Sequence, residues 1–213
     1  MELKISNNLK IFFIYTAAAL LLGYMSELFL VNDELVLAHY NGQFADDLLY
    51  KMLEWNQKWR WVTYVLLPLI SIIKFSLISL CIYAGVYMAN YPIRLSKIFQ
   101  IVLLSEFIFF VPILIKLFWF TLIQTDYSLI DLQFFMPLSI LQIYDPTYVQ
   151  SWLVYPLTIL NAFELAYWII LSFLLGKELN KDFDNMFRLV SSSYGLCLFL
   201  WVVIITFINV SLS

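Results

Sequence analysis

The chain has 213 residues, 63% of them apolar and only 13% charged, with a net charge of −3 and a mean hydropathy of +0.86. Soluble domains run at about 45–50% apolar and about 25% charged, and a domain of this size still exposes much of its area, so a soluble globular enzyme is excluded. The basic residues are dispersed, which excludes the basic face that a nucleic-acid binder turns toward phosphates.

A helix needs about 20 mostly apolar residues to cross a hydrocarbon core of roughly 30 Å. Five stretches meet that requirement, and they predict an all-α polytopic bundle in one membrane domain. The first runs from about Leu9 to Val31, behind Lys4 and Lys10. Its apolar run is too long for a cleaved signal peptide and no cleavage site follows, so it reads as an uncleaved signal anchor. After an Asn41-Gly42 turn, Phe44, Leu48, Met52 and Trp55 share one helical face, opposite Asp46, Asp47, Lys51, Glu54 and Lys58. This pattern predicts an outer amphipathic helix over about 44–58, flat in the interface or against the other helices.

The second span runs from about Trp61 to Asn90 and the third from about Ile93 to Ile123, joined by a tight Asn90–Pro92 corner. The stretch Leu129 to Ile143 is apolar, but Pro137 interrupts it and it is too short to cross. It reads as interfacial in preference to re-entrant, because backbone freed inside lipid must find partners. The fourth span runs from about Trp152 to Gly176 and the fifth from about Phe187 to Val210. Aromatic clusters mark the span ends, with Trp55, Trp59, Trp61 and Tyr64 at one and Tyr144, Tyr148, Trp152 and Tyr155 at another, where amphipathic rings favour the headgroup level.

Loop charges set the orientation. With the N-terminus in the cytoplasm, the inner segments hold Lys4, Lys10, Arg94, Lys97, Lys177, Lys181 and Arg188. The outer segments hold Lys51, Lys58 and Arg60. The loop from Gln124 to Ser151 carries Asp126, Asp131 and Asp145 without a basic residue, so the C-terminus falls outside.

Ionisable residues inside the spans carry the functional signal, since each costs about 2.5–3.5 kcal/mol at a helix centre and such groups mostly face the bundle interior or water. They are Lys74, Glu106, Lys116 and Glu164, with Glu27 nearer the outer face. At 1.5 Å per residue, Lys74 and Glu106 both lie roughly 22–26 Å from the Asn90–Pro92 corner and can meet at one depth, while Glu164 lies roughly 18 Å from the inner side. Glu27 and Lys116 share the outer level and are expected to pair. If Glu106 takes Lys74, Glu164 must carry a proton, face water or meet another ligand. Asn161 lies three residues earlier on the same face and can hydrogen-bond to it. The four residues Lys74, Glu106, Asn161 and Glu164 form the candidate intramembrane site. It reads as an ion pair that fixes helix register, or as a proton or ion relay, or as a headgroup site.

Catalytic signatures are absent. The sequence has no His-Glu-x-x-His, no Gly-x-Ser-x-Gly and no phosphate-binding glycine loop. His39 is the only histidine, and Cys81 and Cys197 sit in apolar runs as small hydrophobes. No catalysis, cofactor or metal is expected.

The run Leu160-Asn-Ala-Phe-Glu-Leu-Ala-Tyr-Trp-Ile-Ile-Leu-Ser-Phe-Leu-Leu-Gly176, the polar loop Lys177 to Asp184 and the final span Phe187 to Val210 resemble the Yip family. The likeness covers about residues 61–213 and includes the tight hairpin and the long non-cytosolic segment upstream. The resemblance implies five spans, a cytoplasmic N-terminus, an outer C-terminus and a scaffold or adaptor role in binding membrane proteins or lipids. Eukaryotic members add a long cytosolic N-terminal region and act with Rab-type GTPases. Only about eight residues precede the first span here, which weighs against a GTPase partner. The composition suits a bacterial inner membrane, and the expected partners are lipids, other membrane proteins or a second copy. The rival readings are a small transporter or channel with a Lys/Glu relay, and an accessory subunit of a membrane export or respiratory complex.

Overall fold

The computed structural model describes residues 2–40, 46–144 and 149–212, and no strand forms among them. Ten α-helices occur there in order: α1 Glu2–Leu30, α2 Asp33–Tyr40, α3 Asp46–Met88, α4 Leu95–Ser105, α5 Phe110–Phe118, α6 Leu129–Phe134, α7 Ser151–Ile159, α8 Ala162–Leu179, α9 Phe183–Val190 and α10 Leu196–Leu212. Among the described residues four continuous helical runs are long and apolar enough to cross a membrane: Asn7–Leu30, Asp47–Met88, Leu95–Ile123 and Phe183–Ser211. The protein is therefore consistent with an integral membrane protein built from helices.

The core lies where α3, α4, α8 and α9 meet. Phe75, Ile82 and Val86 of α3 face Ile98 and Val102 of α4, Leu171 and Leu175 of α8, and Met186 and Val190 of α9, all essentially without exposure. These positions recur at four- and seven-residue steps, so each helix buries one stripe. α1 joins from the side through Tyr15, whose ring packs on Phe75, Phe107 and Phe110. At the corner between α3 and α4 Asn90 takes a left-handed conformation (φ 57) ahead of Tyr91-Pro92, and Asn180 does the same (φ 52) after α8. Asparagine tolerates that region better than most residues. Asp182 starts α9, and two hydrogen bonds from the Asn185 side-chain amide hold its carboxyl below the usual range.

Several of the expected elements differ. The segment 44–58 is not a separate interfacial helix. From Asp46 it is continuous with the second span in one helix of 43 residues. No glycine or proline lies between Asp46 and Leu67 to end it, and Pro68 is absorbed inside the helix. Its packed side is also different, because Leu49 is buried while Leu48, Met52 and Trp55 stand exposed. The Asn41-Gly42 turn and Phe44 lie outside the described residues, as do Asp145 and Tyr148.

The third span is interrupted by a 3-10 turn at Glu106–Phe109. Pro112 accounts for it, since proline has no N–H for the Ile108 carbonyl and its ring crowds that carbonyl. The fourth span is likewise not one helix. α7 ends at Ile159, Leu160 and Asn161 leave the helical region, and α8 begins at Ala162. The fifth begins earlier than expected, at Phe183, and a wide turn at Ser191–Gly195 separates α9 from α10.

The segment 129–143 is bound to that break in the fourth span. α6 starts with a Ser128–Asp131 capping box, the chain turns at Leu138 with φ 58, and Ser139 then bridges Asn161. Ile140 donates its N–H to the Leu160 carbonyl at 3.0 Å, and Ala162 donates to the Leu138 carbonyl at 3.0 Å. The freed backbone of the break thus finds its partners in the loop, as lipid burial demands. Trp201 of α10 donates to the Tyr155 hydroxyl, so α7 runs beside α10. The far end of the segment rests on the break between α7 and α8, and its start packs through Leu132 on Leu30 at the end of α1. Tyr127, just before it, donates to the Leu30 carbonyl at the end of α1, and burial raises its phenol above the ordinary range.

Close backbone approaches also position the helices. A Cβ at Gly85 of α3 would sit 2.6 Å from the Ser193 Cβ, so α3 meets the Ser191–Gly195 turn with no side chain between. Gly85→Ala is expected to lower unfolding stability in detergent by about 2 kcal/mol, and Ser193→Gly in the same chain is expected to recover most of it.

Candidate functional site

The site sits where the broken third span meets α3 and α8. Lys74 of α3 donates to Glu106 Oε2 at 2.7 Å, so the hairpin arithmetic of the two spans holds. Glu106 is fully buried at the first position of the 3-10 turn, whereas the Lys74 side chain is 50% exposed. The Lys74 ammonium lies 5.0 Å from the Phe109 ring centroid and 5.9 Å from that of Phe75. The two rings thus face the ammonium through their electron-rich π systems. Glu106 Oε1 and the Tyr167 hydroxyl are buried beside each other, with no other hydrogen-bond partner among the described residues.

Glu164 occupies the first turn of α8, where a carboxylate suits the positive end of the helix. Its Oε1 accepts from Tyr194 Oη at 2.8 Å and from Trp168 Nε1 at 2.9 Å. Asn161 lies beside it in a different role from the one expected. It is in extended backbone rather than one helical turn back, and its Oδ1 accepts the Glu164 main-chain N–H at 2.8 Å. Asn161 therefore caps α8 instead of bonding the carboxylate. Its amide group donates to the Thr158 and Ile159 carbonyls, which closes the end of α7.

The structure brings together Lys74, Glu106, Glu164 and three aromatic residues that sequence reasoning missed: Tyr167, Trp168 and Tyr194. The available signal was their spacing. Tyr167 and Trp168 follow Glu164 by one helical turn, on its face. Gly195, which holds Trp168 against the turn below, is as close-packed as Gly85, since a Cβ there would lie 2.7 Å from the indole.

The expected outer pair of Glu27 and Lys116 does not form. Arg60 Nε lies 2.6 Å from Glu27 Oε1, and the Tyr64 hydroxyl donates to Glu27 Oε2. Lys116 instead donates to the Leu132 main-chain carbonyl in α6. Both residues line one cavity between α1, α3 and α5 but turn to different partners.

Compared with known protein families, curated proteins and solved structures, the chain gives no match. Its chemistry is therefore read from the site alone. The serines next to the carboxylate cluster in sequence are not activated, because Ser105 and Ser172 donate to main-chain carbonyls of their own helices. Among the described residues no three of His, Cys, Asp and Glu gather as metal ligands, and Cys81 and Cys197 are free thiols. The ion pair ties α3 to the 3-10 turn of the third span, and the Tyr194–Glu164 hydrogen bond ties α8 to the Ser191–Gly195 turn, while the Trp168 bond stays within α8.

Proposed function

We propose that the chain is a non-catalytic membrane scaffold of Yip-like plan, which holds another membrane-embedded protein, or a second copy of itself, against α3. The observation that carries this reading is the half-exposure of Lys74. Charged side chains at membrane depth belong in a bundle interior or in water. Lys74 instead borders a lipid-facing stripe of Leu66, Ile70, Ile73, Leu77 and Leu80, each more than 40% exposed. A partner helix on that stripe would cover the open side of the ammonium and complete its burial. The spacing of the stripe, alternately four and three residues, is that of a helix–helix seam.

In this reading α7 and α8 together make the fourth of five crossings, the N-terminus is cytoplasmic and the C-terminus outside, and the host is a bacterial inner membrane. The distribution of loop lysines and arginines supports the orientation. The N-terminal part of α3 then stands as an outer arm, with Trp55 and Trp59 in ring contact at 5.5 Å. Tryptophan supplies large rigid contact area, so the arm extends the docking stripe beyond the lipid.

The test is gentle extraction into polymer nanodiscs followed by mass spectrometry of the intact assembly. A defined partner or a second copy is expected, and Ile73→Trp is expected to lose it by overfilling the seam. Recovery of the wild-type chain alone, as a monomer, would overturn the proposal.

A further inference from the structure

A cavity of about 580 Å³ lies between α1, α3 and α5, on a different face from the α3 stripe. That volume falls within the range of ligand pockets, about 300–1,000 Å³. Its floor is Tyr15, Phe109 and Phe110, and its wall on α1 is Ala19 and Gly23. The small residues leave it open, and a Cβ at Gly23 would meet nothing within 4 Å. From Glu27 down to Tyr15 it extends about 18 Å along α1 at 1.5 Å per residue, close to one leaflet's share of a hydrocarbon core of roughly 30 Å.

The mouth carries one uncompensated charge. Glu27 is taken on both oxygens, by Arg60 and by Tyr64. Lys116 meets only a main-chain carbonyl, and no carboxylate among the described residues lies within ion-pair distance of it. An apolar slot of leaflet depth with a lone ammonium at its outer end matches an acyl chain joined to a phosphodiester. Phosphate is the anion a lysine binds as a point charge. We infer that this cavity holds an anionic glycerophospholipid of the outer leaflet, with one acyl chain against Gly23 and the phosphate on Lys116.

The test uses the full chain purified in maltoside and offered phosphatidylglycerol or phosphatidylcholine of identical acyl chains, with retained lipid counted by native mass spectrometry. Wild type is expected to retain phosphatidylglycerol roughly fivefold better, the preference that one lysine near anionic lipid confers. Lys116→Gln is expected to abolish the preference and Lys116→Arg to keep it, which separates loss of charge from loss of fold. Gly23→Leu fills the slot and is expected to remove both lipids. Equal retention of the two lipids by wild type, or retention unchanged in Lys116→Gln and Gly23→Leu, would overturn the inference. The α3 partner test is unaffected by either result.

Discussion

Lys74→Met is expected to destabilise the protein by about 3 kcal/mol, and adding Glu106→Gln to it is expected to restore stability to within about 1 kcal/mol of wild type. The asymmetry follows from burial. Glu106 has no exposed surface, while half of the Lys74 side chain is open. Removing the lysine strands a buried carboxylate that has no other donor on Oε2 and only the Tyr167 hydroxyl beside it. Removing both charges leaves an amide of the same shape among Phe109, Tyr167 and Ser105, with no charge to desolvate. The expected cost lies at the low end for a broken buried pair because Lys74 already contacts the bundle's outer surface. A double-mutant cycle on thermal unfolding in one detergent gives the coupling directly. A double variant as unstable as Lys74→Met would show that the helix contacts, and not the stranded charge, set the loss.

Glu164→Leu should cost about as much, about 3 kcal/mol, and Glu164→Gln less than about 1 kcal/mol. One oxygen, Oε1, accepts both the Tyr194 hydroxyl and the Trp168 indole N–H. Glutamine keeps an oxygen where both donors point, whereas leucine leaves two donors without an acceptor inside the bundle. Tyr194 is only 6% exposed, so water has little access to replace the lost bond. Tyr194→Phe in the leucine background removes one stranded donor and is expected to recover part of the loss. Near-equal unfolding temperatures for Glu164→Leu and Glu164→Gln would contradict this account.

The residues differ in how much of this was legible. The Lys74–Glu106 contact was, because the Asn90–Pro92 corner anchors two antiparallel helices and helical rise converts sequence distance into depth. The Glu27–Lys116 pair was expected from depth as well and failed, because no tight turn ties α1 to α5 and depth says nothing about direction around a helix axis. Arg60 stood equally near the outer boundary and faced Glu27. The break at Leu160–Asn161 was hidden by an unbroken apolar run. The visible clue was the Asn161-x-x-Glu164 order, a helix start in water that lipid-length hydropathy overrides. The merging of 46–58 into α3 was legible in the absence of glycine and proline. Polar spacing instead suggested a separate element. Which side of α3 packs inward depends on contacts with α4 and α9, which periodicity alone does not choose.

We propose that the buried charges hold helices together while α3 holds a partner, and a flux measurement in liposomes tests this against the transporter alternative. The cavity between α1, α3 and α5 reaches none of Lys74, Glu106 and Glu164, so no water-filled route leads to them there. Purified wild type and the Lys74→Met, Glu106→Gln double variant would each be reconstituted with an internal pH dye and a potassium gradient. The account predicts proton and potassium leak equal to protein-free liposomes for both. Wild-type flux above that level, lost in the double variant while its unfolding temperature stays at the wild-type value, would contradict it.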